Sequence, residues 1–280
     1  MTSFAERLRD AMAARGPLCV GIDPHEHLLA EWDLPASAAG VREFGLRVVD
    51  AAAGRVGIVK PQVSFFERWG STGFAALEDV LAAARAAGLV VIADAKRGDI
   101  GTTMDAYARA WLTPGSPLEA DAVTLSPYLG VGSLTGTLEY ALAHDKGAFV
   151  LAATSNSEAA TLQGTHDGDR SVAALVVEEV SAFNARTTTA GETAGIGFVI
   201  GATVDLSPAG LAGPLTPGAP VLAPGFGAQG ARPEELRELA AALSSPVVAS
   251  ESRSILSAGP TTLAARIAER AELYTEVEHG

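Results

Sequence analysis

The sequence predicts a single (β/α)8 barrel domain over residues 1–280. Eight short apolar runs recur along the chain, and longer amphipathic stretches separate many of them. The runs are apolar nearly throughout, as parallel strands buried on both faces are. They are residues 18–23, 56–62, 89–96, 120–128, 147–154, 195–203, 220–227 and 245–252. Eight strand–helix units in 280 residues fit this fold, although an open doubly wound sheet has the same alternation.

Helical apolar periodicity supports the alternation of strands and helices. Four stretches between the runs show it, and the first two end at a glycine that is typical of a helix C-terminus. They are residues 37–54, 72–88, 169–186 and 232–245. We also expect an N-terminal helix at about 2–15 and a short C-terminal tail at about 274–280.

Composition and charge narrow the class of protein. The chain is 48% hydrophobic and 19% charged, so it can form a large core. Its net charge of −13 argues against binding to nucleic acid or an anionic membrane through a broad basic surface. No apolar run approaches a membrane span, and the N-terminus lacks the apolar region of a secretory signal. We therefore expect a cytoplasmic protein, with the single cysteine, Cys19, buried in the core.

Polar and charged residues stand where several predicted strands end. The carboxyl ends of barrel strands meet at one mouth, where active sites of this fold lie. The residues at these ends are Asp23, Lys60, Asp94, Lys96, Asp99, Ser126, Ser252 and Arg253. Opposite charges on several strands therefore converge on one mouth of the barrel.

Spacing predicts that Asp94 and Lys96 act together. They are two positions apart, so both side chains face the same way on a strand. Lys60 on the neighbouring strand is placed to join them, and opposite charges side by side keep each other ionised. A lysine that stays charged is suited to donate a proton and is a poor Schiff-base nucleophile.

A glycine-rich stretch follows the seventh run. Gly225, Gly227 and Gly230 form a literal G-x-G-x-x-G pattern. Its position in the seventh unit rather than the first argues against a dinucleotide site. Loops after the seventh and eighth barrel strands commonly bind phosphate, and here Gln229 and Arg253 add polar groups to glycine N–H donors. We therefore expect a phosphorylated small molecule as ligand.

Two long loops and one acid complicate this prediction. Residues 155–170, after the fifth run, are polar and form a candidate lid, whereas residues 204–219 contain three prolines and read as a surface loop. Glu251 stands two residues from the proposed phosphate ligand Arg253, which leaves its role and that of Ser252 open.

The motif DAKRGDIGTT (94–103) resembles the D-x-K-x-x-D-I-x-x-T signature of the orotidine 5'-phosphate decarboxylase family. The segments VGIDP, VKPQVSFFERWG, VTLSPYLG, APGFGAQG and SESRSIL occur in the order expected for its longer bacterial, mycobacterial-like (type 2) branch. The resemblance extends from Leu18 to Leu256. It implies decarboxylation of orotidine 5'-monophosphate to uridine 5'-monophosphate, the last step of de novo UMP biosynthesis, by a homodimer with shared sites and without metal or organic cofactor.

The resemblance also implies roles for individual residues. Lys96 would protonate C6, Asp94 would face the substrate carboxylate, and Lys60 would be the second lysine of the network. Asp99 would reach the site of the partner subunit. The expected substrate-binding residues are Asp23 at the ribose, Ile100 and Thr103 in the partner site, Ser126 at the pyrimidine edge, and Gln229 and Arg253 at the phosphate.

Two other functions remain open at this point. Related magnesium-dependent sugar-phosphate decarboxylases and aldolases share an Asp-x-Lys-x-x-Asp element, but they need a carboxylate on the second strand, where this chain has Lys60. A catalytically silent barrel that binds a nucleotide would have no need of the full set of charged residues.

Overall fold

A computed structural model, which describes residues 2–279, shows a closed barrel of eight parallel strands in which each strand pairs with its neighbours along the chain and β8 pairs with β1. The barrel strands are β1 (Leu18–Ile22), β2 (Ile58–Pro61), β3 (Val90–Arg97), β4 (Ala122–Leu125), β5 (Gly147–Ala153), β6 (Ile196–Ile200), β7 (Val221–Pro224) and β8 (Val247–Glu251). One strand lies in each of the eight predicted runs. The predicted (β/α)8 barrel is therefore confirmed, and an open doubly wound sheet is excluded.

Twelve α-helices and one 3-10 helix (Val131–Leu134) are assigned among the described residues. They are α1 (Phe4–Arg15), α2 (Glu26–Glu31), α3 (Ala38–Ala52), α4 (Val63–Glu67), α5 (Gly70–Ala86), α6 (Gly101–Leu112), α7 (Thr135–Ala143), α8 (Ala159–Gln163), α9 (Val172–Thr187), α10 (Glu235–Leu243), α11 (Arg253–Leu256) and α12 (Leu263–His279). The five predicted helices appear as α1, α3, α5, α9 and α10. Sequence analysis did not predict α6, which begins without a side-chain cap on its first turn.

The C-terminal segment differs from expectation. Residues 274–279, expected as part of a short tail, belong to α12, and residue 280 lies outside the described residues. The helix continues because Tyr274 is fully buried and meets Phe226 edge-on, with 5.6 Å between ring centroids. The buried Tyr274 ring therefore packs the start of this segment against the rest of the protein.

Two apolar layers form the core. The inner layer fills the barrel with one or two side chains from each strand: Cys19, Ile58, Val90, Ile92, Ala122, Phe149, Val199, Leu222 and Val248. Phe4, Leu8 and Met12 of α1 pack against this layer and close the amino-terminal mouth. The outer layer lies between strands and helices. With one mouth closed by α1, the opposite mouth is the one available for a site.

The long loops lie at that opposite mouth. Residues 155–170 contain α8 and most of a short antiparallel hairpin. Each strand of this hairpin has two residues, and His166–Asp167 pairs with Arg170–Ser171. Residues 204–219 contain no helix or strand. None of the helices among the described residues is long and apolar enough to span a bilayer.

Candidate active site

A cavity of about 450 Å³ opens at the carboxyl ends of the barrel strands. Six of the sequence-predicted residues line it: Asp23, Lys60, Asp94, Lys96, Gln229 and Arg253. They come from the ends of five strands or the loops that follow them, with Asp94 and Lys96 both on β3. The topology therefore brings together residues that are separated by more than 200 positions in sequence.

Asp94 is the centre of the charged network. Lys60 Nζ lies 2.8 Å from Asp94 Oδ2, and Lys96 Nζ lies 2.5 Å from Asp94 Oδ1. The carboxylate accepts a third hydrogen bond, which Thr124 Oγ1 donates to Oδ1 over 3.0 Å. One carboxylate thus bridges two ammonium groups, as the spacing of Asp94 and Lys96 predicted.

Burial divides the two lysines. The side chains of Lys60 and Asp94 are 7% and 9% exposed, whereas that of Lys96 is 46% exposed. Burial alone would raise the pKa of Asp94, but Lys60 and Lys96 lower it well below its ordinary value. For Lys60 the directions are reversed. Burial alone would lower its pKa, but Asp94 and Asp23 raise the pKa above its ordinary value. Asp94 and Lys60 form a fixed ion pair, and Lys96 presents its ammonium group to the cavity.

The backbone at Lys96 is strained. Its φ is +48°, in the left-handed region that non-glycine residues rarely adopt. The register between β3 and β4 shifts between Ala93 and Arg97, and the Lys96 N–H donates to Thr124 Oγ1 over 2.9 Å. Strain of this kind costs on the order of 1–3 kcal/mol and is common at functional sites. Thr124 therefore supports both the strained backbone and the Asp94 carboxylate.

Sequence analysis missed Thr124 and Gln62, which both line the cavity. Gln62 Nε2 donates to the carbonyl oxygen of Asp94 over 3.3 Å. Both are neutral residues within or next to strand ends, so a search for charges passed over them. Their positions directly after buried strand residues are the only sequence signal that could have found them.

Asp23 and Ser252 direct polar atoms to the cavity. Asp23 Oδ1 and Ser252 Oγ are buried, have no hydrogen-bond partner among the described residues, and belong to side chains that line the cavity. Buried polar atoms usually have partners. A ligand with hydroxyl groups would supply them, and the ribose contact expected for Asp23 stays a prediction.

The glycine-rich loop lies on the same side of the cavity as Arg253. Gly225, Phe226, Ala228 and Gln229 line it, and Arg253 forms no ion pair with a carboxylate of the described chain. The N–H groups of Gly227 and Gly230 donate to carbonyl oxygens within the loop, so the Arg253 guanidinium group and the Gln229 amide are the polar side chains that suit a phosphate here. The phosphate site expected after the seventh and eighth strands stays a prediction.

Glu251 does not compete for Arg253. Ser250 and Ser252 face the cavity, so Glu251 between them faces the helices. Its carboxylate forms two hydrogen bonds with Arg270 of α12. The apparent conflict of an acid beside the phosphate arginine is resolved by alternation along β8.

The other predicted residues lie outside the set that lines this cavity. Ile100 is 62% exposed, Thr103 is exposed, and Asp99 is half-buried and accepts a hydrogen bond from the Ile100 N–H. Ser126 is half-buried, and its N–H donates to the carbonyl oxygen of Arg97 over 2.8 Å. Its contact with a pyrimidine stays a prediction.

The start of the candidate lid is held at Thr154. Gln163 of α8 accepts from the Thr154 N–H over 2.8 Å and donates to Thr154 Oγ1 over 3.0 Å. Ser155 Oγ lies 3.3 Å from Gln229 Oε1, so the loop after β5 contacts the glycine-rich loop across the cavity. Residues 155–156 thereby form one wall of the site.

No metal-binding cluster is present among the residues whose side chains the structure describes, in the sense of three or more His, Cys, Asp or Glu side chains placed around one point. At the second strand, the position where a carboxylate ligand would be needed is taken by the Lys60 ammonium group.

Comparisons with known proteins agree on one family. The profile of the orotidine 5'-phosphate decarboxylase / HUMPS family matches residues 16–267. The orotidine 5'-phosphate decarboxylase of Corynebacterium glutamicum strain R is 48% identical over 259 residues, which cover 92% of each chain. That of Salinispora arenicola is 48% identical over 269 residues, covering 96% of this chain and 95% of the relative.

Solved structures give the same result. A putative orotidine 5'-phosphate decarboxylase from Streptomyces avermitilis superimposes with a TM-score of 0.90 at 43% identity, covering 100% of this chain and 97% of the other. The Leishmania donovani OMP decarboxylase gives a TM-score of 0.79 at 30% identity, with both chains covered completely.

Proposed function

Because this chain belongs to the orotidine 5'-phosphate decarboxylase / HUMPS family, we propose that its cavity decarboxylates orotidine 5'-monophosphate with Lys96 as the proton donor. The reaction yields uridine 5'-monophosphate and carbon dioxide and belongs to pyrimidine biosynthesis. The observation that carries the assignment of roles is the Asp94 carboxylate held between two ammonium groups, one buried and one open to the cavity.

Proton donation is the role proposed for Lys96. When the bond between C6 and the carboxylate breaks, carbon dioxide leaves and the electron pair remains on C6. The Lys96 ammonium group stabilises that negative charge as it develops and then transfers a proton to C6. The resulting neutral amine regains a proton from solvent, to which the Lys96 side chain is open.

Asp94 has two proposed effects. Asp94 accepts hydrogen bonds from Lys96 and Lys60. These bonds fix the Lys96 ammonium group before substrate binds, so that little reorganisation is needed during the reaction. A substrate carboxylate beside it would be repelled, and this repulsion would be relieved as carbon dioxide leaves. Lys60 keeps Asp94 ionised, as the lowered pKa of that carboxyl indicates.

Binding of the rest of the nucleotide supplies the remaining interactions. Asp23 accepts from a ribose hydroxyl, and the loop over 225–230 with Arg253 binds the phosphate. Contacts remote from the reacting carbon contribute to catalysis by holding the substrate in place. Ser155 and Asn156 close the site over the base from the loop after β5.

The proposal includes a shared site in a homodimer. Asp99, Ile100 and Thr103 follow the strand that carries Lys96, yet they lie outside the set that lines their own cavity, and Ile100 exposes 62% of its surface. Tyr128 and Leu129, which follow the neighbouring strand β4, also expose large apolar side chains, and exposed apolar surface of this kind favours a protein interface. Mixing inactive Asp99→Ala and Lys96→Ala proteins should restore activity through one intact shared site. No recovery after confirmed subunit exchange would contradict sharing.

One assay tests the reaction against the two other functions. Chelator-treated protein is mixed with orotidine 5'-monophosphate while the ultraviolet absorbance of the pyrimidine is followed. We expect turnover without added metal, since the proposed reaction needs no metal or organic cofactor. We also propose that the enzyme acts in the cytoplasm. Turnover only after magnesium is added would favour the metal-dependent alternative, and binding without turnover would favour the silent barrel.

A further inference from the structure

The end of β8 is attached to α12 by a buried ion pair outside the cavity. The Glu251 side chain is 0% exposed. Arg270 Nε lies 2.8 Å from Glu251 Oε2, and Arg270 Nη2 lies 2.7 Å from Oε1. Two parallel hydrogen bonds from a planar guanidinium group fix both the position and the orientation of the carboxylate. Glu251 directly precedes Ser252 and Arg253, which line the cavity.

The same carboxylate supports the glycine-rich loop. A Cβ atom added to Gly227 would overlap Glu251 Oε1 and Ser254 Oγ, and the φ of Gly227 is +69°. The loop backbone therefore packs directly on the Glu251 carboxylate, an approach that only glycine permits. Where Arg270 holds Glu251 thus determines where this loop lies.

A second contact links α12 to the loop. Tyr274, one turn beyond Arg270, meets Phe226 edge-on, with 5.6 Å between ring centroids and an interplanar angle of 90°. Phe226 stands between Gly225 and Gly227 and lines the cavity. The Arg270 guanidinium carbon lies 5.5 Å from the Tyr274 ring centroid. One face of α12 therefore holds the loop at two points.

Charge gives the pair a further effect. An unpaired Glu251 carboxylate under the loop would repel a phosphate dianion, and burial would weaken the screening of that repulsion by solvent. The Arg270 guanidinium group neutralises the carboxylate. The nearby Arg253 guanidinium group, which lines the cavity, can then present a favourable potential to an anion.

We propose that Arg270 and Glu251 are positioning residues for recognition of the substrate phosphate, acting from α12 through the loop over 225–230 and through Ser252–Arg253. The inference rests on the proposed function in that it takes the ligand at this loop to be the phosphate of a nucleotide. Neither residue touches the cavity, so their effect on phosphate binding is indirect.

The test compares a nucleotide with its nucleoside. In Arg270→Met we expect kcat/KM for orotidine 5'-monophosphate to fall roughly 10- to 100-fold. Slow turnover of orotidine, which lacks the phosphate, should stay within about twofold of the wild-type rate. A purely structural role would lower both by the same factor. Arg270→Lys keeps the charge but loses the second hydrogen bond. It should lower kcat/KM for orotidine 5'-monophosphate by a smaller factor and again leave turnover of orotidine nearly unchanged.

Arg266→Met is the matched control, because Arg266 lies one turn earlier on α12 and forms an ion pair with exposed Glu269 at 3.2 Å, away from Glu251. It should leave both substrates unaffected. If Arg270→Met does not fold, Arg270→Lys decides by the same criterion. Equal losses on both substrates, or no loss on either, would overturn the inference.

Ligand binding separates this inference from the proposed function. The ratio of the affinities for uridine 5'-monophosphate and uridine is measured by calorimetry in wild type and Arg270→Met. We expect the variant to show a lower ratio of affinity for uridine 5'-monophosphate to affinity for uridine, in a measurement that involves no turnover. Wild-type protein without decarboxylase activity would contradict the proposed function, whereas an unchanged ratio would contradict only the role of Arg270 and Glu251.

Discussion

The two mouths of the barrel both hold a cluster of buried opposite charges, but the cavities beside them differ in size, about 450 Å³ at the carboxyl-terminal mouth and about 110 Å³ beside Lys146 at the amino-terminal mouth. At the carboxyl-terminal mouth, Asp94 lies between Lys60 and Lys96. At the amino-terminal mouth, Lys146 lies 2.7 Å from Glu119 and 3.7 Å from Asp121. The number of charges is similar, so charge clustering alone does not distinguish a catalytic site from a structural one.

The partners of each carboxylate make the difference. Asp121 Oδ2 accepts from the Val91 N–H over 2.9 Å, and Oδ1 pairs with Arg7 of α1 over 2.9 Å. All the donors come from the protein, and the α1 helix covers the cluster. At the opposite mouth, Asp23 Oδ1 has no hydrogen-bond partner in the part of the chain that the structure describes, and Lys96 is half-exposed. Unfilled hydrogen-bonding capacity beside a cavity, rather than charge, therefore identifies the site.

Removing the exposed ammonium group at the open mouth should have the largest effect. We expect Lys96→Ala to lower kcat roughly 10⁴-fold, because both the proton donor and the charge at C6 are lost. The free energy of unfolding should change by less than about 1 kcal/mol, since a half-exposed side chain is removed and Lys60 still pairs with Asp94. Initial rates, affinity for uridine 5'-monophosphate and denaturant unfolding check this. Near-normal turnover would show that Lys96 is not the acid.

The matching substitution at the closed mouth should have the opposite result. Lys146→Met removes a lysine that is buried next to Glu119 and leaves two acids with less compensation. We expect a loss of about 3 kcal/mol in the free energy of unfolding, with kcat within about twofold of wild type at 25 °C. A large loss of kcat in a folded Lys146→Met protein would mean that the two mouths are coupled and that the comparison fails.

Sequence patterns predicted the barrel well because burial on both strand faces leaves a continuous apolar run at each strand. They also predicted Asp23, Lys60, Asp94 and Lys96 at one mouth, since topology alone gathers the carboxyl ends of parallel strands. Lys96 was placed correctly even though β3 is irregular there, with φ at +48°.

Sequence alone could not supply contacts that depend on distant packing. Thr124 and Gln62 carry no charge, and their importance appears only once β2, β3 and β4 are side by side. Glu251 looked misplaced because its partner Arg270 lies 19 positions away on a helix that was not predicted. Pairings of this kind are decided by how helices pack on the barrel, which local periodicity does not encode.

Acid should weaken the ion pairs of Asp94 at the carboxyl-terminal mouth. A carboxyl whose pKa is lowered on folding stabilises the protein above its unfolded pKa of 3.8, and this contribution is lost as pH falls through the lower folded value. The difference in unfolding free energy between wild type and Asp94→Asn should thus be constant between about pH 5 and 8 and narrow below about pH 4.

Ser37→Ala is the control for this measurement. It removes the hydroxyl that accepts from the Gly40 N–H at the start of α3 and involves no ionisable group. Its cost of about 1 kcal/mol should not vary with pH. A wild-type advantage over Asp94→Asn that persists unchanged at pH 3 would contradict the ion pair assigned to Asp94.

The smallest effect is expected where the closed mouth meets solvent. Arg7 donates from Nη2 to Asp121 over 2.9 Å and from Nη1 to the carbonyl oxygen of Thr2 over 2.8 Å, but its side chain is partly exposed. We expect Arg7→Gln to cost about 0.5–1 kcal/mol in unfolding free energy without any change in kcat or KM, because Asp121 keeps Lys146 and the Val91 N–H. If Arg7→Gln instead destabilised the protein as much as Lys146→Met, the attachment of α1, rather than the buried lysine, would be what keeps the amino-terminal mouth closed.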